Sequence, residues 1–389
     1  MKTRILIGLG LLLMTGAAAQ TAPELCQGAY FTEAQGKAFL EKQASAYTTL
    51  ADWKKRAGEI RAQIRRGAEL ESLPPRPTSK PILHSRRVLD GYTVENVAFE
   101  SLPGIYVTGN LYRPLNRKGK VPGVICPHGH GGNLDNRLME YTQKRCASLA
   151  RMGAVVFAYD MVGYGDQKPI SQHKLSKAFK LQAINSLRSL DFLLSLPEVD
   201  TRRVAVTGES GGGTQTFMLT ALDPRVTLAV PTVMVSAYFF GGCACESGMP
   251  VHKRGEYQTN NVEIAALAAP RPMLLISDGG DWTKNTPEVE FPHVQRIYGF
   301  YGKKDQVEFA HFPDEKHDYG PSKRAAMYRF IGKHFNLDTS KVFGPDGQLD
   351  ESGATVLTPA QLTVFTAEFP RPANARVGDE AVMAAVDFK

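Results

Sequence analysis

The sequence predicts an α/β protein with a mostly parallel central sheet and helices on both of its faces, and three observations carry that expectation. From Val121 onward, short apolar segments of strand length alternate with segments of helix length. Ser210, flanked by glycines, falls between one such strand and the helix after it. Ahead of Val121, three segments alternate apolar and polar residues at period two. Fully apolar strands separated by helices are buried on both faces and pair in parallel, whereas the alternating ones suit antiparallel strands with one wet face.

The elements follow in order. Lys2 and Arg4, the apolar run Ile5–Met14 and the small residues Ala17, Ala18 and Ala19 have the layout of a cleavable export leader over residues 1–19. The apolar run is shorter than the roughly 20 residues that a helix needs to cross a bilayer, so no stable membrane insertion is expected once the leader is cut, and the protein is expected to be secreted or periplasmic. Residues 20–79 are expected to form a helical extension, from about Thr32 to Glu71, and a linker at Leu73-Pro74-Pro75-Arg76-Pro77. The main domain is assigned to residues 80–336. Its alternating strands are Leu83–Val88, Tyr92–Phe99 and Ile105–Tyr112. Its apolar strands are Gly123–Cys126, Ala154–Tyr159, Val204–Thr207, Leu228–Val235, Met273–Ser277 and Val307–Phe312. Helical stretches are expected at Met139–Met152, Lys180–Leu196, Thr214–Leu222 and Ser322–Phe335. Residues 337–389, rich in Gly, Pro, Asp and Ala, read as a tail wrapped on the surface with a short helical window near Pro359–Phe369.

Composition narrows the function classes. The formal charge of +7 falls to +5 once Lys2 and Arg4 leave with the leader, and the excess is spread along the chain. Nucleic-acid binding calls for a concentrated basic stripe, which is absent. The five cysteines leave at least one without an intramolecular partner. Cys126 sits in a strand pattern and Cys146 in a helical one, so both read as small core residues. Cys243 and Cys245 lie in a glycine-rich loop, with no nearby His–Cys spacing to complete a zinc site.

Chemistry concentrates at Gly208-Glu209-Ser210-Gly211-Gly212. A serine between a strand and a helix, with glycine two before and two after, is the nucleophile elbow. The turn is so tight that side chains at the flanks would meet the neighbouring elements, and the serine is raised beside a helix N-terminus that favours negative charge. Donors for a tetrahedral oxyanion are expected from the backbone N–H of Gly211 and from a backbone N–H at His130 or Gly131, in the stretch Pro127–Gly132 after the first parallel strand. Metal binding competes for His128 and His130, but two ligands two apart with no third partner make a poor site, so no metal is expected. Among nine histidines, His317 lies in the loop between the last strand and the last helix, where the general base of this arrangement belongs. Its carboxylate partner is expected after the strand Met273–Ser277. Asp281 is favoured because the acid must swing out on a loop, Asp278 is read as a brace for that turn, and Glu246 is a third candidate. Glu246 and Trp282 are candidate substrate contacts, Trp282 as a stacking surface for a sugar ring. Asp160 reads as the holder of a turn.

With elbow, oxyanion loop, acid and base in this order, the chain resembles the α/β-hydrolase superfamily over about Lys80–Phe335. Within it, the stretches His128–Gly132, Gly208–Thr216 and Gly280–Glu290 are similar to the exported acetyl xylan esterase-like enzymes of bacteria. That resemblance implies a serine esterase without a cofactor, deacetylating plant or algal polysaccharide. The chain departs from the family's usual Gln-Gly-Gly after the serine, having Gly211-Gly212-Gly213, and its RGQG stretch is represented only by Gly163–Gln167. Glucuronoyl or other carbohydrate esterases are the alternative. Further off stand a serine peptidase and a non-catalytic glycan-binding relative. The expected partner is a small-molecule or polysaccharide ester.

Overall fold

The computed structural model describes residues 24–131 and 136–388; the leader expected at 1–19 lies outside them. Among the described residues no helix is long and apolar enough to cross a membrane.

Two helices come first, α1 (Glu33–Ala46) and α2 (Leu50–Gly67). The sequence reads as one helical stretch here, yet the chain breaks at 47–49 because Thr32 and Thr49 each start a helix with a reciprocal capping box, closed by Gln35 and Asp52. Trp53, Ala57, Ile60 and Ile64 recur at helical spacing and are buried, while Lys54, Lys55 and Glu59 stay exposed. The extension is therefore packed into the body of the protein, and Arg56 fastens it further through a 2.6 Å ion pair with Glu263.

The body is a nine-stranded sheet. Its antiparallel edge comprises β1 (Ile82–Val88), β2 (Tyr92–Leu102) and β3 (Ile105–Pro114). There follow β4 (Val121–Cys126), α3 (Glu140–Arg151), β5 (Val155–Tyr159), α4 (Ala178–Ser195), β6 (Val199–Glu209), α5 (Gly211–Leu222) and β7 (Leu228–Thr232). A short helix α6 (Ala244–Ser247), a small hairpin of β8 (Lys253–Arg254) and β9 (Tyr257–Gln258), and α7 (Asn261–Ala266) form an insertion. The sheet resumes with β10 (Met273–Asp278), α8 (Phe291–Phe300), β11 (Val307–Phe312) and α9 (Pro321–Phe335). The strand order is β1-β2-β3-β5-β4-β6-β7-β10-β11. Pairing is antiparallel from β1 to β5 and parallel from β5 through β4 to β11.

Strand alternation divides the core between the two faces. Ile125, Phe157 and Val206 pack on one side with Ile184 and Leu190 of α4, and their neighbours Val124, Val156 and Ala205 pack on the other with Cys146 of α3 and Met327 of α9. Cys126 and Cys146 are buried, as the patterns around them suggest, and all five cysteines are unbridged.

The tail is more deeply seated than a surface wrap. It carries two short helices, α10 (Pro359–Leu362) and α11 (Asp379–Val386), and Leu362, Val364, Val382 and Val386 are buried. The carbonyl of Leu362 accepts from Asn110 and Arg137, each at 3.1 Å. The Asp166 carboxylate accepts from the backbone N–H groups of Val364 and Phe365.

Candidate active site

Ser210 follows β6 and caps α5 with φ 55° and ψ −121°, a left-handed conformation that a non-glycine residue adopts only when its surroundings impose it. They do so by crowding. A Cβ on Gly208 would stand 2.4 Å from the carbonyl oxygen of Pro127, and one on Gly212 would stand 2.6 Å from the same atom. The oxyanion loop is thus pressed against the elbow, and the His130 ring lies so close over Gly211 that a Cβ there would approach Cε1 to 2.4 Å.

A buried ion pair supports the turn. Glu209 accepts from the Gly129 N–H at 3.0 Å with one oxygen and from Arg145 at 2.8 Å with the other. Burial pushes its carboxyl up, but Arg145 and the Gly129 N–H outweigh that and hold it below the ordinary range. His128 is wholly buried, and its Nε2 accepts from the Met161 N–H at 3.0 Å, so Nδ1 donates to the Gly129 carbonyl at 2.7 Å. Burial pushes its pKa down to about 3, and the ring is neutral.

On the far side of the cleft, His317 Nδ1 lies 2.5 Å from Asp281 Oδ2. The other Asp281 oxygen accepts from both the backbone N–H and the hydroxyl of Thr283, at 2.6 Å each. Asp278 points elsewhere: it accepts from the Gly280 N–H at 3.0 Å and pairs with buried Lys323 at 3.1 Å. Glu246 is also turned away from His317, accepting from Thr214 at 3.3 Å and from the Gly242 N–H at 2.8 Å. His311 bonds to Ser277 within the sheet. Asp160 holds its turn as expected, taking the Asp166 N–H at 3.1 Å, and it also pairs with wholly buried Arg137.

Two clefts meet at Ser210 and His130. One, of about 350 Å³, runs past Gly129, Tyr141, His317 and Arg324. The other, of about 540 Å³, is bounded by Tyr164, His173, Lys174, Phe239, Cys243, Glu246 and Trp282. Trp282 stacks on Phe239 with ring centroids 3.9 Å apart and 13° between the planes, and its centroid lies 4.6 Å from that of His317.

The two loop histidines differ in what surrounds them. His128 is committed to the backbone, but His130 does find partners: His130, His173, Cys243 and Cys245 place their ligand atoms within 4.8 Å of one another. Local spacing conceals the cluster because its members come from separate loops, after β4, β5 and β7. His173 was missed altogether. Arg137 and Arg145 were missed too, since nothing near them distinguishes a buried cation from a surface one.

The acetyl xylan esterase (AXE1) family model matches residues 69–239. The solved structure of the methylesterase BT1017 is 42% identical, with a TM-score of 0.85 over 91% of this chain and 78% of its own. The 4-O-methyl-glucuronoyl methylesterase 1 of Wolfiporia cocos (strain MD-104) is 28% identical over 352 residues, 78% of this chain and 81% of that one. The glucuronoyl esterase of Solibacter usitatus shares the fold, with a TM-score of 0.52 at 17% identity over 73% of this chain and 93% of its own. The chain spans about half, 48%, of the curated Bacillus subtilis (strain 168) relative YtaP. The chain belongs to the α/β-hydrolase carboxylic-ester hydrolases of the acetyl xylan esterase-like group.

Proposed function

We propose that this protein is an exported serine carbohydrate esterase that removes methyl groups from esterified uronic acids in a polysaccharide, with Ser210, His317 and Asp281 as its triad. The observation that carries the triad is the Asp281–His317 hydrogen bond facing the same cleft as the elbow serine. The preference for a methyl ester rests on the 42%-identical methylesterase, matched over most of both chains. The clefts on either side of Ser210 offer room for sugar residues along a chain, and Trp282 and Phe239 offer an aromatic floor.

In this reading Ser210 Oγ attacks the uronate carbonyl while His317 Nε2 takes its proton, and Asp281 holds the imidazole by Nδ1 and stabilises its cationic form. The oxyanion is received by the backbone N–H groups of Gly211 and His130, beside the positive end of α5. His317 then gives the proton to the methoxy oxygen as its bond to the carbonyl carbon breaks, releasing methanol, and water hydrolyses the acyl-enzyme by the same path.

Removal of acetyl groups is the second reading, favoured by the family match over residues 69–239. The test is to give the mature protein a methyl-esterified polyuronate and an acetylated xylan and to measure released methanol and acetate. Methanol release that is abolished in Ser210→Ala supports the first reading, and acetate release alone replaces it with the second. Export is tested by N-terminal sequencing of protein from the cell envelope or medium; a new N-terminus at Gln20 is expected, and an intact Met1 overturns it.

A further inference from the structure

We infer that His130, His173, Cys243 and Cys245 form a Cys₂His₂ zinc site beside the elbow, one that ties the oxyanion loop to two neighbouring loops. His130 Nε2 lies 3.1 Å from Cys245 Sγ and 3.3 Å from Cys243 Sγ, and His173 Nε2 lies 3.5 Å from Cys243 Sγ. The two sulfurs are 2.8 Å apart, well beyond the ~2.05 Å of a disulfide. Zinc bonds of about 2.3 Å to sulfur and about 2.1 Å to nitrogen, in a tetrahedron, require sulfur–nitrogen separations of about 3.6 Å and a sulfur–sulfur separation of about 3.8 Å. The three sulfur–nitrogen contacts of 3.1, 3.3 and 3.5 Å stand within about half an ångström of that, and all four ligand atoms lie within 4.8 Å of one another. The sulfurs must part by about an ångström, which rotation of a cysteine side chain supplies.

The surroundings already orient the ligands. His173 Nδ1 donates to the Val162 carbonyl at 2.6 Å, which leaves Nε2 as the nitrogen that faces Cys243. Carbonyl anchoring of the far nitrogen is how metal-bound histidines are held. The cysteines sit on a turn closed by the Ser247 hydroxyl on Gly241 at 3.0 Å and by the Gly242 N–H on Glu246 at 2.8 Å. Two thiolates balance the charge of a dication, so the filled site is neutral, which suits its partly buried position on the wall of the cleft. A tetrahedron of sulfur and imidazole suits zinc among the common divalent ions. With four protein ligands the site is closed and takes no substrate. Its members are positioning residues, acting through the His130 backbone and through the ring that lies on Gly211.

The experiment uses the full mature chain, purified under reductant without chelator, with zinc measured by elemental mass spectrometry. About one zinc per chain is expected, falling at least tenfold in Cys245→Ser and in His173→Ala, with Cys26→Ser unchanged as the control. Cobalt added to the chelated, reduced wild-type protein should give thiolate-to-cobalt absorption and the intense visible bands of a tetrahedral ion, a readout that does not depend on whether a variant folds. Failure of the reduced wild-type protein to take up zinc or cobalt overturns the site, as does zinc retained at full stoichiometry in Cys245→Ser. Loss of ester hydrolysis on zinc removal, restored by re-addition, is a further expectation that rests on the esterase reading; metal content tests the site without it.

Discussion

Asp281 faces His317 with one oxygen and Thr283 with the other, so the carboxylate is fully engaged before any substrate arrives. An amide in its place can still accept from Thr283, but its NH₂ would then face Nδ1 and favour the wrong imidazole tautomer. Asp281→Asn should therefore lower kcat by about 10⁴-fold, as in the serine-protease triad from which that magnitude is taken, with little change in KM. Asp278→Asn should alter thermal stability more than kcat, because its partner is buried Lys323. If Glu246→Gln is inactive while Asp281→Asn retains activity, the acid has been misassigned.

Thr283 makes a milder and separable test. Its hydroxyl donates to Asp281 at 2.6 Å and also accepts from the Asp278 N–H at 3.2 Å. Thr283→Val removes both the donor to Asp281 and the acceptor of the Asp278 N–H while preserving shape and the backbone bond to Asp281, at a cost of about 1–3 kcal/mol. The expected result is a kcat about fivefold lower at unchanged KM; a loss confined to KM would place Thr283 in substrate binding instead.

Much of this site was legible in the sequence because its signals are local. The apolar period revealed the parallel strands, the glycines revealed the elbow, and the loop after β11 singled out His317. Asp281 was favoured over Asp278 and Glu246 because the acid must swing out on a loop after the strand. The rest depends on contacts between distant segments. His130 and Cys245 are 115 residues apart and their partnership has no local signature. Arg137 is 29 residues from Asp166, and the tail that caps both enters some 200 positions later. The break between α1 and α2 was missed for a different reason: Thr49 and Asp52 form a cap whose two members look unexceptional inside a polar helical stretch.

Glu209, next to the nucleophile, provides a stability test. Its ion pair with Arg145 is fully enclosed, and removing one member of such a pair leaves an uncompensated charge. Glu209→Gln should lower the unfolding free energy by about 3–5 kcal/mol in urea titrations. Glu140→Gln breaks an exposed i,i+4 pair with Lys144 and should change it by less than about 0.5 kcal/mol. Similar losses in the two variants would contradict the burial argument.

Glu290 is the group whose titration the fold perturbs most usefully. One of its oxygens accepts from the Ala237 N–H at 2.9 Å, and the other has no hydrogen-bond partner among the described residues. Burial pushes its pKa from 4.5 up to about 7. For an acid raised in the folded state, the folded protein holds the proton more tightly than the unfolded chain. The associated stability is fully present below the unfolded value of 4.5 and is lost as pH rises through the folded value of about 7. A shift of that size corresponds to about 3 kcal/mol across the window. His128, His252 and His293, all pushed down by burial, work in the opposite sense as pH falls, but they are common to wild type and variant and cancel in the difference. Urea unfolding of wild type and Glu290→Gln at intervals from pH 4.5 to pH 8 should show the variant gaining on wild type steadily up to about pH 7 and levelling off above it. A difference that stays constant across this range would mean that Glu290 titrates alike in the folded and unfolded chain, and the burial argument would fail.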